Sequence, residues 1–368
     1  MRILILNWRC PKNPRAGGAE FLTYEVAKRL VAGGNEVEWF SASFPGAASK
    51  EVLDGIRVVR AGRQWTVHLH AFRQYFRRLS RRFDVVIDEV NTIPFFTPLW
   101  ADIPVTMLIY QLAREVWWYE SPFPISLVGF VLEPLYLRIY RRVPVFTESR
   151  STQSDLRRLG FSGPITVVPV GVESIDKGSA TKAPVPTFLY VGRLASSKRV
   201  REIIQAFSSF RKSTGTGQLW LVGTGSDSYT RSLHSLTRRL RLDLVVRFWG
   251  HVSNPEKHLR MAQAHVLLMA SVREGWGLVV TEANACGTPA IAYDVPGLRD
   301  SIKHGETGLL VPPSPTGLAD GMIRLWSDRN LYERLTRGAT RWGSTFTFDR
   351  STDTFRDELD RTVLAGAQ

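Results

Sequence analysis

Cysteine is scarce: Cys10 and Cys286 are the only two, far apart and in no metal-spaced pair. That excludes a disulfide framework and a thiolate zinc site, and it fits a reducing compartment. No run of about 18 uninterrupted apolar residues occurs, so no spanning helix is expected. The opening run Met1–Leu6 is too short for a secretory leader, and Asn7, Arg9 and Lys12 follow it at once. These absences lead to the expectation of a cytoplasmic protein. The seven histidines form no HExxH-like pattern and no GxSxG elbow is present, which removes zinc-protease and serine-hydrolase chemistry. Gly223-Thr224-Gly225 starts like a dinucleotide fingerprint, but Ser228 stands where a third glycine would.

Acids are outnumbered, 34 against 48 Lys and Arg, giving a net charge of +14. A basic surface favours anionic partners: nucleic acid, acidic lipid or phosphorylated small molecules. Residues 1–176 carry +5 and residues 177–368 carry +9, so no separate basic tail exists and no specific nucleic-acid module is expected. A membrane-facing surface and a generally basic background both remain open. The stretch 69–83 reads as an amphipathic helix with Phe72, Phe76, Leu79 and Phe83 on one face and five arginines on the other. Packing on a sheet is the plainer reading of that helix, and docking on anionic lipid the sharper one. Docking would make a lipid-linked acceptor and a peripheral place on the inner membrane face reasonable.

At 368 residues the chain suits two domains. Ile3–Leu6 reads as a buried strand, Gly17-Gly18 opens a helix to about Val31, and Gly33-Gly34 stops it before a strand at Val37–Phe40. Short apolar runs recur at Ile56–Val59, Val85–Ile87, Val105–Ile109, Val145–Thr147 and Thr166–Val168. The Ser-, Lys- and Pro-rich stretch 174–186 reads as a linker. Alternation restarts with strands at Phe188–Val191, Leu219–Val222, Val245–Phe248, Val266–Met269 and Ala290–Ala292, separated by helical stretches. The expectation is α/β: two doubly wound Rossmann-like domains, residues 1–173 and 187–345, facing across a ligand cleft at the carboxyl ends of their strands.

Two clusters carry candidate chemistry. Gly192 and Arg193 follow a strand and Lys198 precedes a helix, so two cations and free N–H groups meet at an anion-binding turn. A pair of solvated surface cations is the plain alternative. Further on, Arg273-Glu274-Gly275-Trp276-Gly277-Leu278 leaves a strand, and Glu282 lies a turn inside the next helix. Paired carboxylate oxygens match the vicinal hydroxyls of a sugar, and glycines let backbone N–H groups approach it.

Here the sequence resembles a known family. Glu274 and Glu282, with seven residues between them, resemble the E-x7-E pattern of retaining glycosyltransferases of the GT-B fold. GRLASSKR at 192–199, the Val-Gly-Thr-Gly loop at 222–225, FWGHVS at 248–253 and the run from Glu274 to Pro312 are similar to glycosyltransferase family 4. The N-terminal likeness is thinner, resting on AGGAEF at 16–21 and residues 147–161. The resemblance implies a sugar moved from a UDP- or GDP-linked donor to an acceptor hydroxyl. It assigns the donor diphosphate to Arg193 and Lys198, the transferred sugar to Glu274 with the backbone at Gly277 and Leu278, and the ribose to Glu282. It sets Trp249, Gly250, His251 and Val252 by the base, with Gly192 and Gly223 in the phosphate loops. Gly17 and Gly18 would close over phosphates or acceptor from the other domain, and a last helix within 346–368 would return to the first. No metal and no other cofactor is implied. Tyr110 stands where relatives often carry a histidine before Gln-Leu-Ala-Arg-Glu, so Tyr110, Gln111 and Arg114, with Glu115, are the acceptor-side candidates. A non-catalytic sugar-nucleotide or anion-binding protein and a GT-B epimerase or phosphorylase are the alternatives.

Overall fold

The computed structural model describes residues 1–173 and 180–366, and these divide into two compact units. The first comprises Met1–Arg114, Val128–Gly171 and the residues from Thr347 on; the second comprises Glu115–Leu127 and the described residues from Val172 to Phe346. The stretch Glu115–Leu127 thus leaves the half of the chain that surrounds it in sequence.

In the first unit eight strands form one sheet: β1 (Arg2–Leu6), β2 (Glu36–Ser41), β3 (Lys50–Leu53), β4 (Ile56–Arg60), β5 (Val85–Glu89), β6 (Val105–Leu108), β7 (Val145–Thr147) and β8 (Ile165–Val167). Their order is β3-β4-β2-β1-β5-β6-β7-β8, parallel throughout except for the β3–β4 pair. Ile3 of β1 sits beside Val37 and Val85, and Ile3 to Leu6 of this central strand are apolar and buried, as a strand covered on both faces requires. The helix Gly18–Ala32 joins β1 to β2; the Glu20 carboxylate accepts the Gly17 N–H at 2.7 Å and caps its first turn. The helix Phe348–Gly366 packs on it through Phe21 and Phe348, and stacks Phe355 on Phe146 at 4.0 Å.

The second sheet is wholly parallel, in the order β11-β10-β9-β12-β13-β14. Its strands are β9 (Thr187–Val191), β10 (Gln218–Val222), β11 (Val246–Gly250), β12 (Val266–Met269), β13 (Ala290–Tyr293) and β14 (Gly308–Val311). Helices Val200–Thr214, Asp227–Arg239, Asn254–Gln263, Leu278–Ala285, Pro315–Ser327 and Arg329–Gly343 cover it. Buried Phe188, Phe207 and Phe210 fix the first helix on β9.

Three features differ from the sequence reading. The 69–83 stretch is not one helix: the helix is Val67–Tyr75, Phe76 leaves it at ψ 127°, and Arg77 takes φ +58°. Its buried face is Val67, Ala71 and Tyr75, followed by Leu79 and Phe83, so Phe72 and Phe76 stay exposed. The reason is that Ala71 and Tyr75 sit one turn apart against the sheet, and beyond the break the chain no longer keeps helical spacing. The antiparallel β3, β14 and the helix Ile125–Leu137 were not anticipated. Of the 174–186 linker, residues 174–179 lie outside the described residues; in the remainder the Lys182 ammonium binds the Ala264 carbonyl at 2.6 Å and the Thr288 hydroxyl at 2.8 Å.

Candidate functional site

Parallel strands deliver their carboxyl ends to one edge of a sheet, and three of those ends are tied together in the second unit. The Gly192 N–H donates to the Val222 carbonyl at 3.0 Å, and the Gly223 N–H to the Gly250 carbonyl at 2.8 Å. A Cβ on Gly223 would stand 1.9 Å from the Gly192 oxygen, and φ there is +130°, so the residue must be glycine. Arg193 projects outward from this turn. Its guanidinium meets the Glu120 carboxylate at 2.8 Å, and the Ser197 hydroxyl donates to the same carboxylate. Burial opposes the charge on Glu120, but Ser197, Arg193 and Lys198 outweigh it and hold the carboxyl below its ordinary range.

The segment after β12 joins the two predicted clusters through Glu274 and Lys198. Glu274 Oε1 accepts from Lys198 Nζ at 2.5 Å and from the Ser271 hydroxyl at 2.6 Å, and among the described residues no hydrogen bond is made to Oε2. The backbone is held on both sides: the Val272 N–H donates to the Ser197 carbonyl and the Glu274 N–H to the Pro296 carbonyl. Gly297, at φ +84°, must also lack a side chain, since a Cβ would lie 2.2 Å from the Glu274 oxygen. Gly277 then opens the helix Leu278–Ala285, with the Trp276 indole N–H on the Thr281 hydroxyl at 2.7 Å. Glu282 is the fifth residue of that helix, about 6 Å along it from Leu278. Its Oε1 meets Lys257 Nζ at 2.8 Å, whereas its buried Oε2 has no partner among the described residues. An unpaired buried acceptor beside a glycine-lined loop is what a ligand hydroxyl would satisfy.

Trp249, at the end of β11, lies flat under the Arg260 guanidinium, 3.5 Å from its ring centroid. Gly250 follows at φ +65°, His251 is exposed and Val252 half-buried. Glu120, Ser197, Ser271, Lys257 and Arg260 were not found by sequence reasoning. Ser271 lies in the same loop as its partner Glu274, whereas each of the others sits in a different loop or helix from its partner, where no spacing rule connects them.

The first-unit candidates gather less completely. Gly17 and Gly18 are exposed at the start of their helix. Behind them Glu20 is fully buried between Arg9 at 2.7 Å and the Asn91 amide at 2.8 Å. Glu89, at the end of β5, is also fully buried; it takes a bond from Asn91 at 3.3 Å on Oε1, and its Oε2 has no hydrogen-bond partner among the described residues. Burial, and then the charge of Glu20, push the Glu89 carboxyl well above the usual range. Tyr110 is buried with its hydroxyl on Thr23, and burial together with the charges of Glu89 and Glu148 raises its pKa strongly. Gln111 has a buried side-chain oxygen with no hydrogen-bond partner among the described residues. Arg114 turns away from Tyr110: its guanidinium lies over Phe130 at 4.4 Å, while its N–H donates to Glu133 at 2.7 Å. Glu115 belongs to the other unit, where it pairs with Arg273 at 3.2 Å.

Comparison with known proteins puts names to this geometry. Residues 16–174 match the model of Glycosyltransferase Family 4, and residues 172–342 that of Glycosyl transferases group 1. A glycogen synthase of Mycobacterium tuberculosis is 27% identical over 376 residues, covering 92% of this chain and 89% of its own. A D-inositol 3-phosphate glycosyltransferase of Streptomyces bingchenggensis is 39% identical over 120 residues, 32% of this chain and 26% of its own. Among solved structures, sucrose-phosphate synthase from Thermosynechococcus elongatus overlays 99% of both chains with a TM-score of 0.83 at 21% identity. HepE of Anabaena, solved with UDP and glucose, overlays 98% of this chain and all of its own with a TM-score of 0.74 at 18% identity. With one family model on each half and the GT-B fold throughout, the chain belongs to glycosyltransferase family 4 and is a glycosyltransferase.

Proposed function

We propose that the enzyme transfers a sugar, with retention of anomeric configuration, from a UDP- or GDP-linked donor to an acceptor hydroxyl. The observation that carries this reading is the pair of acids after β12: Glu274 held by Lys198 and Ser271, and Glu282 held by Lys257, each with one carboxylate oxygen left for a hydroxyl. Glu274 Oε2 would take a hydroxyl of the sugar, and Glu282 Oε2 one of the ribose. Arg193 and Lys198 would carry the diphosphate charge, with no metal ion required. Trp249 and the exposed His251 would border the base. The acceptor oxygen attacks the anomeric carbon as the bond from that carbon to the diphosphate oxygen breaks. The electron pair leaves on the diphosphate, which takes the acceptor's proton. Fixed cations serve such a step because charge grows on the leaving group in the transition state.

UDP is the first nucleotide to test, since the Anabaena protein of the same fold was solved with UDP-glucose. A nucleotide at about 100 times its dissociation constant should stabilise the fold by about 2.7 kcal/mol, visible as a thermal shift. The expected result is stabilisation by one nucleotide family, lost in Glu282→Ala, then sugar transfer with retained configuration by NMR and undiminished by chelators. Stabilisation by no nucleotide, or an inverted product, would overturn the reading.

A further inference from the structure

The helix Ile125–Leu137 is built the wrong way round for a water-facing surface. Ser126, Gly129, Glu133 and Leu137 recur at helical spacing and are buried, whereas Ile125, Leu127, Val128, Val131, Leu132 and Leu135 are each 43–54% exposed. The only charged residue between Ser121 and Leu137 is Glu133, and it points inward, accepting the Ala113 N–H at 2.6 Å and the Arg114 N–H at 2.7 Å. A soluble surface helix turns its polar stripe outward; this one turns it in. A continuous apolar face of that size marks an interaction surface.

What covers it is indicated by charge on the same face of the sheet. The connections β4 to β5 and β6 to β7 both run in the same direction along the strand order. Right-handed crossovers therefore place Val67–Tyr75 and the part of Ile125–Leu137 from Val128 on, which belongs to the first unit, on one side. Ring contacts bridge the two, Phe72 with Trp100 at 5.8 Å and Phe96 with Tyr136 at 6.4 Å. Between Asp54 and Asp84 the sequence holds eight arginines and no acid. Of these, Arg73, Arg77, Arg78 and Arg81 are exposed, and none has a carboxylate partner among the described residues. Leu69, Phe72 and Phe76 are exposed among them, and Arg138 and Arg142 are exposed beyond the end of the apolar helix.

We propose that this face of the first unit docks on an anionic lipid bilayer, the apolar helix lying in the acyl boundary and the arginines on the headgroups. A bilayer supplies both an apolar layer and an anionic one, whereas a second copy of the face would set arginines against arginines. At 13 residues the helix is about 20 Å long, and no helix among the described residues is long and apolar enough to cross a membrane, so it lies in the interface plane. The inference goes beyond the donor reading and stands without it.

The test is co-sedimentation of the whole protein with phosphatidylcholine vesicles, with and without about a third phosphatidylglycerol. Binding to the anionic vesicles alone, weakened by salt, is expected. Leu132→Glu with Val131→Glu should abolish it; both positions are half-exposed, and an unchanged thermal unfolding midpoint checks the fold. Replacing Arg77, Arg78 and Arg81 by Ser should weaken binding by about a hundredfold at low salt, taking the usual contribution of each basic residue near such a surface. No binding to anionic vesicles at low ionic strength would overturn the proposal. So would light scattering that shows a dimer which the Glu variants convert to monomer, since a second copy would then be the occupant.

Discussion

Each unit buries acids near the carboxyl end of its sheet, but the two sets are answered differently. In the second unit Glu274 and Glu282 are each paired to a lysine of their own, Lys198 and Lys257, and are partly open. In the first, Glu20 has Arg9, while Glu89 lies fully buried with the Asn91 amide on Oε1 and, among the described residues, no hydrogen-bond partner on Oε2. A carboxylate paired to a cation stays charged and can hold a hydroxyl; a buried one without a cation is driven toward the neutral acid. The same side chain is therefore held by a lysine in one sheet and, in the other, buried with its carboxyl pushed well above the usual range.

The largest effect should come from breaking the lysine side of that contrast. Lys198 touches Glu274 and stands in the proposed diphosphate turn, so Lys198→Ala removes a cation and leaves Glu274 uncompensated. Loss of one fixed group that stabilises transition-state charge costs about 10²–10³ in kcat. Because the two groups are in contact, Glu274→Gln added to Lys198→Ala should cost less than the sum of the single effects. A strictly additive pair in steady-state assays would show that they do not act together. Next in size is Glu282→Ala. Hydrogen bonds to a charged group contribute about 1.5–3 kcal/mol, so nucleotide affinity should fall about ten- to a hundredfold while kcat changes little. Calorimetric titration with the nucleoside diphosphate reads this directly, and a loss confined to kcat would move Glu282 from binding to chemistry.

The difference between the units also explains what could be read from sequence. Parallel strands announce themselves as continuous apolar runs, so β7 and β12 were placed to the residue, and β3, half-exposed and antiparallel, was missed. Glu274 and Glu282 were legible because a loop and the helix it enters fix their spacing. The partner of Glu282 was not: Lys257 comes from the helix Asn254–Gln263, and only folding brings the two together. The helix Ile125–Leu137 escaped because its polar residues face inward, so its apolar pattern gives no period against which to set a solvent face. Glu89 had no sequence signal at all; its state depends on burial next to Glu20.

That state sets a pH dependence of stability. Below about pH 4.3, the ordinary range of a glutamate, Glu89 is protonated in both folded and unfolded chains and has no effect. Above it the unfolded chain loses the proton while the buried carboxyl keeps it, so the folded state is penalised progressively as pH rises toward the elevated folded value. The change is at most about 1.4 kcal/mol per pH unit. Glu89→Gln removes the penalty, so its melting temperature should match wild type near pH 4 and exceed it increasingly toward neutrality. Arg9, Glu20 and Tyr110 surround the site and are unchanged in the variant. A difference that is flat with pH would mean that Glu89 is charged in the folded protein, and the contrast between the units would collapse.

The smallest effect expected is at Glu120, where an acid occupies the anion-binding turn of the second unit itself. Its carboxylate takes the Arg193 guanidinium, a group that the proposed diphosphate would use, together with the Ser197 hydroxyl. Donor binding must then release this contact, and Glu120→Gln should make release easier. Arg193 is 60% exposed, so the pair resembles a surface ion pair, a class that contributes about 0–1 kcal/mol. The expected gain in nucleoside diphosphate affinity is therefore no more than about fivefold, and it should shrink further in salt. Weaker binding in Glu120→Gln would point the other way, to a carboxylate that holds Arg193 in place for the donor instead of competing with it.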